Sequence, residues 1–117
     1  MTTEATLKTL INPLVAGGCW NVVNPSATIV YPYVVFQEIS ALPENGLIGY
    51  MGLSRYRYQV DVFAKSPEQA RALAMGTIKA AIVASTLEGL LVFHMVGEYS
   101  EVDKTYQYIT EYQIWAT

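Results

Sequence analysis

The sequence has 117 residues, of which 52% are hydrophobic and 15% charged, and its mass is 13.0 kDa. This length fits one folded domain over residues 1–117 and leaves no room for a second. Seven basic and ten acidic residues give a net charge of −3, which argues against a nucleic-acid partner. No apolar run approaches the roughly 18 residues that a membrane-spanning helix needs, so we expect no membrane partner either.

The N-terminus and the cysteine content bear on the compartment. The segment MTTEATLKTL lacks a basic n-region and a small-residue cleavage site, so we expect synthesis in the cytoplasm without a signal peptide. Cys19 is the sole cysteine, and it can form neither an intramolecular disulfide nor a thiolate metal cluster by itself. Redox chemistry and a bound cofactor are therefore not expected.

The first third of the chain divides into a helix, a loop and a strand. Apolar residues at helical spacing predict a short amphipathic helix that Pro13 ends near Asn12. Residues 16–31 contain Gly17, Gly18 and Pro25 and are predicted as a loop. The β-branched and aromatic run YVVFQEIS at 33–40 predicts a strand.

Residues 41–54, ALPENGLIGYMGLS, are rich in turn formers and are predicted as a long connecting loop. The loop carries four large apolar residues, which is unusual for a solvated segment. They either form a contact surface or fold back on the core of the domain, and the sequence leaves both alternatives open. These residues are Leu47, Ile48, Tyr50 and Met51.

Residues 55–65, RYRYQVDVFAK, alternate strictly and predict a strand with one apolar and one polar face. Ser66, Pro67 and Gln69 then form a helix start: a capping hydroxyl, a proline in the first turn and a capping-box glutamine. Gly76 weakens the helix that follows by about 1 kcal/mol relative to alanine, so we expect it to mark a close approach to a strand.

The C-terminal third predicts a hairpin of two strands, LLVFHMVGEYS and TYQYITEYQIWA, joined by a polar turn near 101–104. The order of elements is therefore helix, strand, strand, helix, strand, strand. This order predicts an α+β fold in which two helices pack on one face of an antiparallel sheet of about four strands.

The residues that could support catalysis are few. His94 is the only histidine, and its position within the apolar strand VFHMV favours a structural role over a catalytic one. Glu98, Glu101 and Asp103 cluster near the predicted turn, where acidic groups are usually solvated. The glycines of the 41–54 segment match no phosphate-binding motif. We expect the protein not to be an enzyme, and an enzymatic alternative would use His94 with Glu98 or nearby carboxylates.

The polar face of the two central strands has two interpretations. One side of an antiparallel sheet often faces water, which is the simpler explanation. Alternatively, a face that mixes both charge signs with amides binds a neighbouring subunit, and paired charges set the register. The residues of this candidate interface are Arg55, Arg57, Gln59, Asp61, Gln107, Glu111 and Gln113.

The strand YPYVVFQEIS, the linker ending GLSRYRYQVDVFAKSPEQARALA and the helix after it resemble the middle of a known family. This family comprises the tail-completion proteins of long-tailed bacteriophages and prophages, also called tail-terminator or head-to-tail joining proteins. The resemblance covers about residues 31–84 and is weaker at the N-terminal helix and the closing hairpin. It rests on a junction between a strand and a capped helix, with no catalytic residues to carry over.

The resemblance implies a structural protein of the virion tail that is assembled in the host cytoplasm. Its subunits would associate with one another as a ring, by analogy a hexamer, at the head-proximal end of the tail tube. There they would end tube growth and bind both the tail-tube protein and the head connector proteins. The alternative from the residues alone is a small-ligand-binding or regulatory domain with an apolar pocket between helix and sheet.

Overall fold

A computed structural model describes residues 3–25, 28–46, 49–85, 87 and 89–116, with the backbone alone at 41–46, 49–55, 115 and 116. Helix α1 spans Thr3–Ile11 and is followed by a 3₁₀ turn at Asn12–Leu14. The apolar spacing buries Leu7 and Ile11, and Pro13 lies where the α-helix has given way to the 3₁₀ turn. The predicted N-terminal helix and its end are confirmed.

Five strands form one mixed sheet in the order β1-β2-β3-β5-β4. They are β1 Cys19–Asn21, β2 Tyr33–Gly46, β3 Gly49–Ala64, β4 Leu90–Ser100 and β5 Thr105–Ala116. The predicted antiparallel strands are confirmed, and the C-terminal hairpin pairs β4 with β5. The prediction of a loop throughout 16–31 was wrong, because Cys19–Asn21 pairs in parallel with Val34–Phe36.

The predicted loop at 41–54 was also wrong. Strands β2 and β3 continue as an antiparallel hairpin as far as the pair Gly46 and Gly49. The turn-forming residues are accommodated by register shifts, one between Glu38 and Ser40 and another between Pro43 and Asn45. Continuous pairing with β3 therefore overrides the local turn preference of this segment.

A second helical run follows β3 and consists of α2 Pro67–Ala72, a π-helical segment Leu73–Ile78 and α3 Lys79–Val83. The predicted start is confirmed, because Ser66 Oγ accepts a hydrogen bond from the Gln69 N–H at 3.1 Å. Ala70, Ala74, Ile78 and Ile82 recur every four residues and are buried against the sheet. The π-helical segment allows these four buried side chains to stay on the side of the run that faces the sheet.

Gly76 does not lie close to a strand, and that expectation was wrong. A Cβ atom added at Gly76 would meet no other atom within 4 Å. A glycine that does permit a close approach to the helical run is Gly89, which precedes β4. A Cβ atom there would lie 2.6 Å from Ile82 Cγ2, closer than two carbon atoms tolerate.

The hydrophobic core lies between the helices and one face of the sheet. Val60 and Val62 of β3 and Tyr112 of β5 are fully buried there, as the alternation in the sequence predicts. The Tyr58 hydroxyl donates to Glu4 Oε1 at 3.0 Å and ties the sheet to α1. All the described helices lie on this side, so the opposite face of the sheet is left without a helical layer.

Candidate protein interface on the open sheet face

The sheet face that points away from the helices carries both polar and apolar side chains. Here it is called the open sheet face. Successive side chains of a strand point to opposite faces of a sheet. The register therefore places about every second side chain of β2, β3, β4 and β5 on this face. Its described residues are Tyr33, Val35 and Gln37 of β2, Arg57, Gln59, Asp61 and Phe63 of β3, Gln107, Ile109, Glu111 and Gln113 of β5, and Leu90, Phe93 and Met95 of β4.

The structure brings together the predicted interface residues of the two central strands. Arg57 lies opposite Gln113, and Gln59 lies opposite Glu111. Arg55 occupies the next position of the same parity along β3, opposite Trp115. These residues therefore form one continuous patch, as the polar alternation of the sequence predicts.

Asp61 is the last β3 residue of the patch and is only 8% exposed, although a strand that simply faces water would leave it solvated. Gln59 Nε2 donates to both Asp61 oxygens at 3.1 and 2.9 Å, and Gln107 Nε2 donates to Oδ2 at 3.3 Å. Burial raises the pKa of this carboxyl, and the charge of Glu111 adds to the rise, while the two amides oppose it. The carboxylate is thus desolvated, and its hydrogen-bond donors among the described side chains are neutral amides.

An ion pair within the patch connects the two central strands, β3 and β5. Arg57 Nε lies 3.6 Å from Glu111 Oε1, and the two side chains are 46% and 19% exposed. Asp61 is not part of this ion pair, and its hydrogen-bond donors are the amides of Gln59 and Gln107. With Arg55, which the strand register also places on this face, the patch has two basic and two acidic residues.

Sequence reasoning missed the apolar half of this face. Tyr33 and Phe63 stack with ring centroids 4.8 Å apart, and Phe93 and Met95 of the edge strand β4 are 44% and 47% exposed. The available signal was that YVVFQ and LLVFHMV are apolar at both parities, which is typical of strands without a purely solvated face. Exposed aromatic and methionine side chains beside polar groups are characteristic of protein interfaces.

The predicted interface residues of the 41–54 segment lie apart from the patch. The backbone of Tyr50 and Met51 belongs to β3 near the hairpin turn, and Tyr50 pairs with Asn45. Seven residues of extended strand separate Tyr50 from Arg57, which amounts to about 23 Å. Leu47 and Ile48 lie outside the described residues.

A groove of about 410 Å³ opens on the helical side of the sheet, between α2 and the strands β4 and β5. Its apolar walls come from Ala70, Val96, Tyr99 and Tyr108, and Arg71 lies at its border. Its position between helix and sheet is the one expected for the pocket of the ligand-binding alternative.

The residues considered for catalysis do not assemble into a chemical site. His94 Nδ1 lies 2.9 Å from the Tyr108 hydroxyl oxygen, so its recorded side-chain partner is a neutral tyrosine. Cys19 is buried, and burial raises the pKa of its thiol to about 12, which leaves it protonated at neutral pH. Within the part of the chain that the structure describes, no three His, Cys, Asp or Glu residues cluster as metal ligands would.

Comparison with families of known proteins gives a match over nearly the whole chain. The family model described as "Tail completion protein gp17" matches residues 7–116, nearly the whole chain. The chain belongs to this family. The resemblance seen over residues 31–84 is therefore confirmed, and the match extends it to the N-terminal helix and the closing hairpin. No curated protein matches the chain.

Membership of the tail-completion family makes the protein a component of phage tail assembly, and the family is structural rather than catalytic. None of the described helices has the length and apolar character to cross a membrane.

Proposed function

We propose that this tail-completion protein caps the head-proximal end of the tail tube, ends tube growth and forms the surface that joins the tail to the head. It acts as a ring of subunits, by analogy a hexamer, that contacts the tail-tube protein on one side and head connector proteins on the other. Assembly takes place in the host cytoplasm. The observation that carries the proposal is the family match over residues 7–116, which includes both layers of the fold.

The open sheet face supports a role in subunit binding. It combines the stacked pair Tyr33 and Phe63 with a desolvated carboxylate at Asp61, and such mixtures suit protein interfaces better than solvent. A ring subunit needs two different complementary surfaces, because a head-to-tail contact joins unlike faces. The central patch from Arg57 to Gln113 is our candidate for one surface, and the hairpin end around Tyr50 and Met51 is our candidate for contact with a tube or connector subunit.

The proposal is tested by adding purified protein to isolated tail tubes of the parent phage and imaging them by negative-stain microscopy. A cap at one end of each tube supports the proposal. In the parent phage, a deletion of this gene should yield unjoined heads and tails of irregular length. Normal, joined and infectious virions from the deletion strain would contradict it.

The groove beside α2 gives the second candidate function, a small-ligand-binding or regulatory domain. Its volume of about 410 Å³ lies within the range of ligand pockets, and its walls are mainly apolar. A thermal-shift screen against a metabolite panel tests this candidate. Stabilisation by one compound that is lost in Val96→Glu, at an exposed wall position, would favour it, and no shift across the panel would count against it.

A further inference from the structure

We infer that the edge strand β4 of one subunit pairs in the antiparallel sense with the free edge of β2 in another copy of this chain, so that one sheet runs from subunit to subunit. The free edge of β2 is the side of Gln37–Gly46 that points away from β3. This inference rests on the proposed ring and names the two strand edges that build it.

The free edge of β2 begins where β1 ends. Strand β1 covers β2 as far as Phe36, while β2 itself continues to Gly46. The Val22 N–H still donates to the Phe36 carbonyl at 2.8 Å, and the Val23 N–H then donates to the Asn21 carbonyl at 2.9 Å. The second bond closes a three-residue turn that holds Val22 at a φ of 70°, a left-handed conformation that β-branched residues rarely adopt. This strained turn ends β1, so β2 beyond Phe36 pairs with β3 alone among the described strands.

The start of this edge is open to contact. Glu38, Ile39 and Ser40 are exposed, and the large apolar side chain of Ile39 is 40% exposed in the middle of β2. An uncovered strand edge presents a row of backbone N–H and C=O groups that can pair with another strand. Main-chain hydrogen bonds of this kind bind an extended segment, so the partner of the β2 edge is a β-strand.

The second edge is β4, which is last in the sheet order and pairs with β5. Its apolar side chains are exposed on both sides of the sheet. Phe93 and Met95 are 44% and 47% exposed on the open sheet face, and Val96 and Tyr99 are 65% and 43% exposed on the helical side. Lysine and proline commonly protect edge strands from pairing, and β4 contains neither. Register shifts lie on either side of the segment from Phe93 to Val96, so we place the new pairing at this regular part.

The strand directions favour β2 of another copy as the partner of β4. The pairs β2–β3, β3–β5 and β5–β4 are all antiparallel, so β2 and β4 run in opposite directions within one subunit. Copies related by rotation about an axis along the strands keep their strand directions, so β4 of one copy meets β2 of the next in the antiparallel sense. The two edges are also similar in length, Gln37–Gly46 and Leu90–Ser100. A β4–β4 pair would leave the β2 edge of both copies uncovered, whereas the unlike pairing covers both edges with one kind of contact.

An added strand also covers the apolar side chains that β4 leaves exposed. The groove of about 410 Å³ borders this edge on the helical side, and Val96 and Tyr99 form part of its wall. Ile39 supplies an apolar side chain from the β2 edge. Repetition of the contact closes a ring when the rotation between copies divides a full turn, and otherwise builds an open filament. The open sheet faces of successive copies then lie side by side in one surface.

Disulfide cross-linking between full-length cysteine variants tests which edges meet. Met95→Cys places a thiol on the open sheet face of β4, and Gln37→Cys and Ser40→Cys place one on the same face of β2. Oxidation of Met95→Cys mixed with at least one of these two should give a covalent dimer, because opposite residues of antiparallel strands have Cβ atoms about 4.5–5.5 Å apart. The native Cys19 is buried and does not compete. Met95→Cys mixed with Glu38→Cys, on the other face of β2, should give at least about tenfold less dimer.

Two controls complete the cross-linking test. Val96→Cys lies on the helical side of β4 and should cross-link with Glu38→Cys, which shows that the thiol at position 38 is reactive. Met95→Cys oxidised alone should stay monomeric in a denaturing gel, because the inferred contact brings β4 against β2 and not against a second β4.

A second measurement follows self-association. Met95→Lys with Val96→Lys puts two charges on the β4 edge, and Val83→Lys with Val102→Lys puts the same charges at other exposed apolar positions as the matched control. Circular dichroism first establishes that both variants fold. Sedimentation velocity and light scattering then measure their masses and that of the wild type over a concentration series, with and without isolated tail tubes. We expect the wild type and the control to form rings and the edge variant to associate at least about tenfold more weakly, because pairing would bury its added charges.

Each contrary outcome has a distinct meaning. If the wild type forms a ring, the edge variant does so equally well and no β4–β2 pair cross-links, the inference is wrong and the proposed function stands. If Met95→Cys cross-links with itself and not with a β2 variant, β4 pairs with β4 and the inference is also wrong. If the wild type stays monomeric and ignores tubes, the proposed function fails together with the inference.

Discussion

Gly76→Ala should stabilise the folded chain, although glycines inside helices are often kept for packing. Gly76 lies inside the second helical run and is exposed, and a Cβ atom there would meet nothing within 4 Å. The substitution therefore adds no clash and reduces the backbone freedom of the unfolded chain. We expect the free energy of unfolding to rise by about 1 kcal/mol.

For a chain of this length, about 1 kcal/mol corresponds to a rise in Tm of roughly 3–6 °C. Urea unfolding followed by circular dichroism measures the change, and the slope with denaturant should not alter. Gly89→Ala is the matched control, because its Cβ atom would lie 2.6 Å from Ile82 Cγ2 and should destabilise the fold by about 1–3 kcal/mol. A loss of stability in Gly76→Ala would show that this position is packed and would refute the reasoning.

Three further predictions concern the cap, the buried carboxylate and the cysteine. Ser66→Ala removes the acceptor of the Gln69 N–H and should cost about 1 kcal/mol in urea unfolding, whereas Ser66→Asn should restore most of it. Burial raises the folded pKa of Asp61 above its ordinary value of 3.8, so its ionisation works against folding, and stability is lost as pH rises through the folded pKa. The charge of Glu111 adds to this rise, and Asp61→Asn should therefore be more stable than the wild type at pH 7 and lose that advantage below pH 3.8; an equal difference at both pH values would contradict the assignment. Cys19 should resist a thiol reagent at pH 8 in the folded protein and react in urea, as its burial and raised pKa require, and fast labelling of the native chain would argue against that burial.

Local signals with a direct physical cause were predictable from the sequence. The strict alternation at 55–65 predicted which β3 residues face the core, and Ser66-Pro67 predicted the start of the second helical run. In both cases the signal lies within a few neighbouring residues. The sheet order was not predictable, because it depends on which strands meet across the fold.

The failures arose where tertiary pairing opposes local preference. Pro43 and Asn45 favour a turn by themselves, but register shifts let the β2–β3 hairpin contain them. Strand β1 has only three residues and is specified by its partner β2 more than by its own sequence. The sequence left open whether Asp61 faces water or a neighbouring subunit, and it did not show the hydrogen bond from Gln107, 46 residues away in the chain.

The most direct test of the central claim is the mass of the purified protein over a concentration series, measured by light scattering with and without isolated tail tubes and paired with negative-stain imaging. Our account predicts a closed ring in solution, or a cap at one end of the tubes. A protein that stays monomeric at every concentration and leaves both tube ends bare would contradict it.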